Sequence, residues 1–313
     1  MPDIRAGAVR PILKWAGGKR QLLPELRPFY PRRFDRYVEP FLGSAAVFLD
    51  LHNGGFLDGR PAQLSDINAD VIGCYRAVRD APDEVIGALR ELEVGYKTGG
   101  AAHFYDVRDQ AFNPARRAIH ASADPAGAYT PSLAAMLIYL NRTGYNGLFR
   151  VNARGEFNVP AGRYGNPRIC DEANLRAWSV ALGHPGVSLG ISAFDSALAG
   201  AGQGDFVYLD PPYAPLSGTA RFTSYTATGF DAIQQEELQR AVITLAARGA
   251  SVLLSNSAAP QIRALYAGRG AARRAGLRAT TVAARRAINS RAASRGPVRE
   301  YLITNVPRCK LLV

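Results

Sequence analysis

Phe206-Val207-Tyr208-Leu209 is a short continuous apolar run, and Asp210-Pro211-Pro212-Tyr213 follows it directly. The run reads as a buried strand and the four residues after it as the turn at its end. Two successive prolines remove two backbone donors and stiffen the turn, leaving a carboxylate, exposed carbonyls and an aromatic face together. A place that accepts hydrogen bonds and offers a stacking surface suits an exocyclic amino group on a flat base. The matching chemistry is attack by that nitrogen on an electrophile held nearby. Taken alone, the four letters fit equally well a tight Pro-Pro turn without chemistry.

Towards the amino terminus, Lys14-Trp15-Ala16-Gly17-Gly18-Lys19 precedes the strand-like Arg36-Tyr37-Val38, which runs into Glu39-Pro40-Phe41-Leu42-Gly43-Ser44-Ala45. A strand over 36–39, a helix over 44–52 and a strand over 62–65 form half of a nucleotide-binding α/β unit. From Ala69 to about Thr143 the pattern turns helical. Helices are expected over 83–96, 103–112 and 131–142, with loops containing Gly99-Gly100 and Asn113-Pro114 between them and no strand signal. After Cys170 the alternation resumes, with a helix over 171–182, strands over 187–191 and 206–209, a helix over 232–248, and strands over 251–254, 280–283 and 299–304. The expected organisation is an α/β domain split into 1–68 and 170–313, with residues 69–169 inserted as a second, mainly helical domain.

Residues 148–160 alternate. Phe149 and Val151 point one way, Arg150 and Asn152 the other, and after a turn ending in Gly155 the pair Phe157 and Val159 alternates with Glu156 and Asn158. This is a hairpin with one apolar face and one face of Arg, Asn, Glu and Asn. Such a ribbon fits a DNA major groove, where Arg reads guanine and Asn reads adenine through paired hydrogen bonds. An ordinary surface hairpin has the same alternation.

The chain has 38 Lys plus Arg against 26 Asp plus Glu, a net charge of +12, which suits a polyanionic partner. Lysine occurs at 14, 19, 97 and 310 alone, so two of the four fall inside one six-residue motif, as expected where a compact ammonium must enter a tight site. Cys74, Cys170 and Cys309 are scattered without metal-ligand spacing, and His52, His103, His120 and His184 are equally dispersed. No metal site and no disulfide framework are expected. With no signal-like or membrane-spanning apolar run, the expected location is the cytoplasm. No obligatory protein partner is evident.

These blocks, with Leu64-Ser65-Asp66-Ile67-Asn68, the run from Tyr139-Leu140-Asn141-Arg142-Thr143-Gly144 to Tyr145-Asn146-Gly147-Leu148-Phe149-Arg150, and Gly155-Glu156-Phe157-Asn158-Val159-Pro160, occur in one order over most of the chain. Together they resemble the amino-methylating DNA methyltransferases, most closely the DNA adenine methylase family. The resemblance implies a Rossmann-like, S-adenosylmethionine-dependent methyltransferase fold with an inserted, mainly helical DNA-recognition domain that carries the hairpin. It implies transfer of a methyl group to N6 of a flipped-out adenine in double-stranded DNA, with GATC as the target and another adenine-containing palindrome as the runner-up.

In that reading Asp210 and the Pro211 carbonyl accept the two amino hydrogens, Pro212 shapes the turn and Tyr213 stacks on the base. Trp15, Lys19, Phe41, Gly43, Asp66 and Asp210 line the cofactor. Asp66 stands 23 positions after Gly43, a spacing that suits a ribose-binding acid and equally a helix cap. Trp15 is also compatible with plain core. Lys14, Arg150, Asn152 and Pro160 match positions that contact or shape the target bases, and Tyr145, Asn146 and Leu148 match those that fill the gap left by the extruded adenine. The chain has no Pro-Cys dipeptide, so methylation of a ring carbon through a cysteine adduct is not expected. RNA or protein amino-methylation, and a catalytically silent DNA-binding homologue, remain as competing classes. One departure stands out: the family's turn usually reads Phe-x-Gly-x-Gly, and here the second glycine is Ala45. A methyl group there is expected to demand negative φ and to limit backbone approach.

Overall fold

The computed structural model describes residues 7–309 except 16, 215–229, 269 and 286–296. Its centre is a seven-stranded sheet in the order β3-β2-β1-β4-β5-β7-β6. The strands are β1 (Arg36–Glu39), β2 (Ala62–Asp66), β3 (Val187–Ile191), β4 (Asp205–Leu209), β5 (Ser251–Ser257), β6 (Arg278–Arg285) and β7 (Pro297–Thr304). The first five are parallel, while β7 lies antiparallel to both β5 and β6. Winding reverses between β1 and β4. At such a switch point the loops after the two strands diverge and leave a crevice at their carboxyl ends.

Side-chain alternation sorts the strands onto two packed faces. Tyr37, Phe206, Tyr208, Leu253 and Leu302 join one core, and Val38, Val207, Leu209, Val252, Leu254 and Ile303 join the other. Helices Ala46–Asn53, Ala69–Asp80 and Glu172–Leu182 contribute to the first core, and Ala232–Ala247 and Pro260–Tyr266 to the second. The helical stretch from Ala69 to Thr143 supplies no strand among the described residues. Its apolar side chains, among them Leu89, Phe104, Leu133, Tyr139 and Leu140, are continuous with the first core.

One expectation about this stretch needs correction and another is refined. Asn113-Pro114 is not a loop: the π-helical turn Val107–Phe112 runs without a break into helix Asn113–His120, with Pro114 in that helix's first turn. At Gly99-Gly100 the expected break between two helices is present but is a kink, not a loop: Gly100, at φ 52° and ψ -126°, leaves helical geometry within Pro82–Asp106. The 280–283 strand extends to 278–285, and much of the Arg-rich 269–299 segment falls outside the described residues. Among the described residues no helix is long and apolar enough to cross a membrane.

The alternating 148–160 segment forms a minimal antiparallel hairpin. Val151 bridges Phe157, Asn158 N donates to Arg150 O, and Asn152 N donates to Glu156 O. Phe149, Phe157 and Val159 are buried while Arg150 is exposed. On the polar face Arg150 Nε donates to Asn158 Oδ1 at 2.8 Å and Asn152 Nδ2 to Glu156 Oε2 at 3.1 Å. The turn is closed by Asn152 Oδ1, which accepts from Arg154 N and Glu156 N, and by Gly155 at φ 76°.

Candidate active site

Strand β4 ends at Leu209, so the stiff turn delivers Asp210 to the mouth of the crevice. Lys19 Nζ approaches Asp210 Oδ1 at 2.7 Å, donates to Gly17 O at 2.6 Å, and sits 4.6 Å from the Tyr213 ring centroid. Ser255 Oγ, on β5, donates to the same Oδ1 at 3.2 Å, and Tyr208 OH lies 2.9 Å from that serine oxygen. Burial pushes the Asp210 carboxyl up to about 6, with the Lys19 charge acting against it and the Glu300 charge with it. Tyr213 OH donates to Glu300 Oε2 at 2.7 Å. Gln235 Nε2 donates to Pro212 O at 3.1 Å, and Gln235 is held in turn by Asn256 at 3.0 Å. The turn is therefore gripped from β5, β7 and helix Ala232–Ala247.

The neighbouring turn after β1 is built by glycine. Gly43 takes φ 44°, and a Cβ there would come within 2.9 Å of Trp15 Cδ1. Gly43 N donates to Asp66 Oδ2 at 2.9 Å, and Asn68 N donates to Asp66 Oδ1 at 2.9 Å. Burial raises the Asp66 pKa, opposed by these backbone donors. The helix that follows is capped by Asn68, whose side chain accepts from Asp70 N, so capping is not the work of Asp66. Tyr75 OH donates to Gly43 O at 2.7 Å and fixes the turn from behind. Phe41 stacks on Phe194 at 5.7 Å and meets Phe230 edge-on at 5.9 Å.

Ala45 departs from expectation. It adopts φ 56° and ψ 28°, the left-handed region, with its side chain fully buried. The turn keeps the conformation that glycine favours, and the methyl group is accommodated at the cost of backbone strain.

Of the remaining predicted residues, Lys14 and the Tyr145–Leu148 turn adjoin the crevice through Trp15, which packs against Gly43. Asn141 Oδ1 accepts from Lys14 N at 2.6 Å, and its Nδ2 donates to Lys14 O and Gly147 O, so one amide ties the lysine-bearing loop to the Tyr145–Leu148 turn. Asn146 stands at φ 53°, Tyr145 is 43% exposed, and Tyr145 N donates to Pro160 O. The Lys14 ammonium lies 4.7 Å above the Tyr164 ring. Burial, with repulsion from Arg142, lowers its pKa. Trp15 stacks on Phe149 at 5.4 Å, joining the glycine-rich loop to the apolar side of the hairpin. Arg150 and Asn152 lie out along the polar face of the hairpin and make no contact with Asp210 or Asp66.

Sequence reasoning missed Ser255, Gln235, Glu300 and Tyr75, which hold the two turns. The one local signal was Glu300, an acid inside the apolar pattern of β7. Among the described residues no three His, Cys, Asp or Glu side chains gather as a metal site would require.

A sheet with five parallel strands, an antiparallel strand inserted next to its edge, and an acidic turn facing a glycine turn across the switch point defines a methyltransferase of the Rossmann-like class. Residues 15–280 match the D12 class N6 adenine-specific DNA methyltransferases, and the chain belongs to that family. It is 37% identical over 302 residues to the DNA adenine methylase of Escherichia coli strain K12, covering 95% of this chain and 96% of that protein. It is 34% identical over 302 residues to the type II methyltransferase M1.LlaDCHI of Lactococcus lactis subsp. cremoris, covering 95% of each. Against the DNA N-6-adenine-methyltransferase of Escherichia phage P1 the identity is 33% over 94% of this chain and 35% of that longer protein. The protein is thus an adenine-specific DNA methyltransferase, and its substrate is DNA.

Proposed function

We propose that this enzyme takes the methyl group from S-adenosylmethionine and places it on N6 of an adenine rotated out of duplex DNA, within GATC. The observation that carries the reading is the juxtaposition of two turns at one switch point: Asp210 after β4, with Ser255 and Lys19 on its carboxylate, and Gly43 after β1, bonded to Asp66 after β2.

The residues fit the donor. The Asp66 carboxylate, already oriented by two backbone N–H groups, suits ribose hydroxyls. The Phe41 and Phe194 faces and the exposed Ile67 suit a purine, and the absence of a side chain at Gly43 lets Trp15 pack directly against the turn. When bound, the donor supplies an electrophilic methyl group on a sulfonium. The protein's part is to make a poor nucleophile competent. Adenine's amino lone pair is delocalised into the ring, and acceptance of its two N–H groups by Asp210 and the Pro211 carbonyl localises it along the line of attack. With Lys19 and Ser255 on Oδ1, the carboxylate must be ionised for Oδ2 to accept rather than donate, and Lys19 favours that state. Tyr213, its hydroxyl held by Glu300, presents the ring on which the base stacks. No covalent enzyme adduct is required.

Residues 69–169 form the recognition part and residues 1–68 with 170–313 the catalytic part. Arg150 and Asn152 read base edges from the hairpin, Lys14 and Pro160 complete the contact, and Tyr145, Asn146 and Leu148 occupy the gap in the duplex. The GATC target rests on the likeness of this hairpin to the family's recognition hairpin, and relatives named DNA adenine methylase support adenine in DNA as the group modified. Expression in a methylation-free host followed by long-read sequencing tests it: modified adenines within GATC are expected, and modification in another context would overturn the target while leaving the chemistry. Tritium transfer from labelled donor to duplex DNA, RNA and total protein should label the duplex alone.

A further inference from the structure

The hairpin is short, and its bridge between Val151 and Phe157 is isolated. A two-stranded ribbon of this size is marginal without outside support. Helix Asn113–His120 supplies that support at three consecutive residues. Asn113 Nδ2 donates to Phe157 O at 3.1 Å while Phe157 N donates to Asn113 Oδ1 at 2.8 Å, so a side-chain amide stands in for a neighbouring strand. Arg117 Nη2 donates to Glu156 Oε1 at 2.6 Å. Arg116 Nη1 donates to Gly155 O at the tip of the turn.

Arg116 is itself fixed from the opposite side. Its Nε and Nη2 bond the Asp70 carboxylate at distances of 2.8–3.0 Å, and Asp70 is fully buried. His120 Nε2 lies 3.2 Å from Asp70 Oδ2, and Tyr129 OH donates to Oδ1 at 3.5 Å. A guanidinium held by a fork-to-carboxylate pair has little freedom left, so the group it donates to is fixed as well. Asp70 begins helix Ala69–Asp80, the helix whose Tyr75 holds Gly43. One rigid element thus touches both the glycine turn of the active site and, through Arg116, the hairpin turn.

We infer that Arg116, locked by Asp70, is a positioning residue for sequence selection: it fixes where the polar face of the hairpin stands relative to the methyl-transfer turn. The inference rests on the reading of the hairpin as the element that reads bases. Paired hydrogen bonds to a base edge tolerate misplacement of only about 0.5 Å, so a loosened hairpin loses discrimination before it loses methyl transfer. The hydrogen bonds of Arg116 go to Asp70 and Gly155, neither of which is assigned to the base or the donor.

The test is steady-state methylation by the full-length protein of a duplex carrying its preferred site and of duplexes with one base pair changed. Arg116→Ala is expected to lower the ratio of kcat/KM for preferred over altered duplex by about tenfold, chiefly through KM on the preferred duplex. Arg116→Lys keeps a cation beside Asp70 if the alanine variant fails to fold, and it cannot span Asp70 and Gly155 O together, so it should relax selection as well. Asn113→Ala, which removes a different grip on the same strand, should act in the same direction. Arg150→Ala tests the underlying reading: unchanged discrimination there overturns the hairpin reading and this inference with it. If Arg150→Ala relaxes selection while both Arg116 variants scale every duplex by one common factor, Arg116 is an ordinary structural residue and the inference is wrong.

Discussion

Lys19 Nζ stands 2.7 Å from Asp210 Oδ1 and 4.6 Å from the centre of the Tyr213 ring, so one buried ammonium serves both ends of the acidic turn. The two lysines of the glycine-rich motif separate in function at this point. Lys19 enters the crevice, whereas Lys14 keeps part of its side chain in solvent and packs its ammonium over Tyr164.

The charge of Lys19 is the largest influence opposing the burial that pushes Asp210 up to about 6. Lys19 and Ser255 both lie against Oδ1, so a proton on the carboxyl would sit on Oδ2 and turn the oxygen left for the amino group into a donor, and single-turnover methyl transfer should fall as pH drops through about 6. Lys19→Met should move this acid limb to higher pH by about one unit or more, since a neighbouring opposite charge typically displaces a carboxyl by that amount. Asp210→Ala should abolish transfer and leave duplex affinity within a few-fold, because phosphate contacts elsewhere dominate affinity. An acid limb that stays in place in Lys19→Met would remove the electrostatic role from Lys19.

Tyr213 combines a ring face with a hydroxyl already given to Glu300 at 2.7 Å. If the ring is what the reaction uses, Tyr213→Trp retains part of the activity and Tyr213→Ala very little. Tyr213→Phe keeps the face and loses one hydrogen bond to a carboxylate, and should stay within about tenfold of the parent in kcat/KM. Equal activity in all three variants would exclude stacking as the role.

The parts of this arrangement that the sequence made legible are those with local signals. An apolar run closed by two prolines locates β4 and its turn, and strict alternation locates both faces of the hairpin. Asn113-Pro114 misleads because a proline in the first turn of a helix has the same letters as a helix breaker. The supports were hidden for a different reason. Ser255 reaches Asp210 across 45 positions, Glu300 reaches Tyr213 across 87, and Arg116 reaches Asp70 across 46. Such pairings exist only once the sheet order is known.

Glu39 ends β1 with 2% exposure, and burial pushes its carboxyl up to about 8, although Tyr37 OH donates to it at 2.8 Å. Between its ordinary value near 4.5 and about 8 the folded protein therefore holds a proton that the unfolded chain has released. Since the native state binds more protons in that window, stability is greatest at the acid end and declines as pH rises, by up to about 1.4 kcal/mol per pH unit from this group. Asp210 adds the same sign between 3.8 and about 6. Glu39→Gln keeps an acceptor for Tyr37 and cannot ionise, so urea unfolding should show a much flatter pH dependence between about pH 6 and about pH 8. A slope equal to the parent's would mean that Glu39 titrates normally in the fold.

Ala45 at φ 56° is the remaining test of how the cofactor turn is built. Ala45 N donates to Leu42 O at 2.7 Å and Ala45 O accepts from Leu49 N at 2.9 Å, so the residue closes the turn and starts helix Ala46–Asn53 at once. Holding alanine in the left-handed region costs about 1–2 kcal/mol. Replacement by glycine relieves that strain, but it gives up a buried methyl worth about 0.8 kcal/mol and adds about 0.5–1 kcal/mol of unfolded-chain entropy. The contributions nearly cancel, so Ala45→Gly should leave unfolding free energy within about 1 kcal/mol of the parent. Affinity for S-adenosylhomocysteine, measured by titration calorimetry, should be preserved or improved, because Gly43 and Asp66 keep their geometry. Ala45→Val should lose both stability and affinity, since a β-branched side chain strongly resists positive φ and two further carbons would have to enter a fully buried position. A valine variant that binds and unfolds like the parent would show that the turn relaxes to an ordinary backbone conformation in solution.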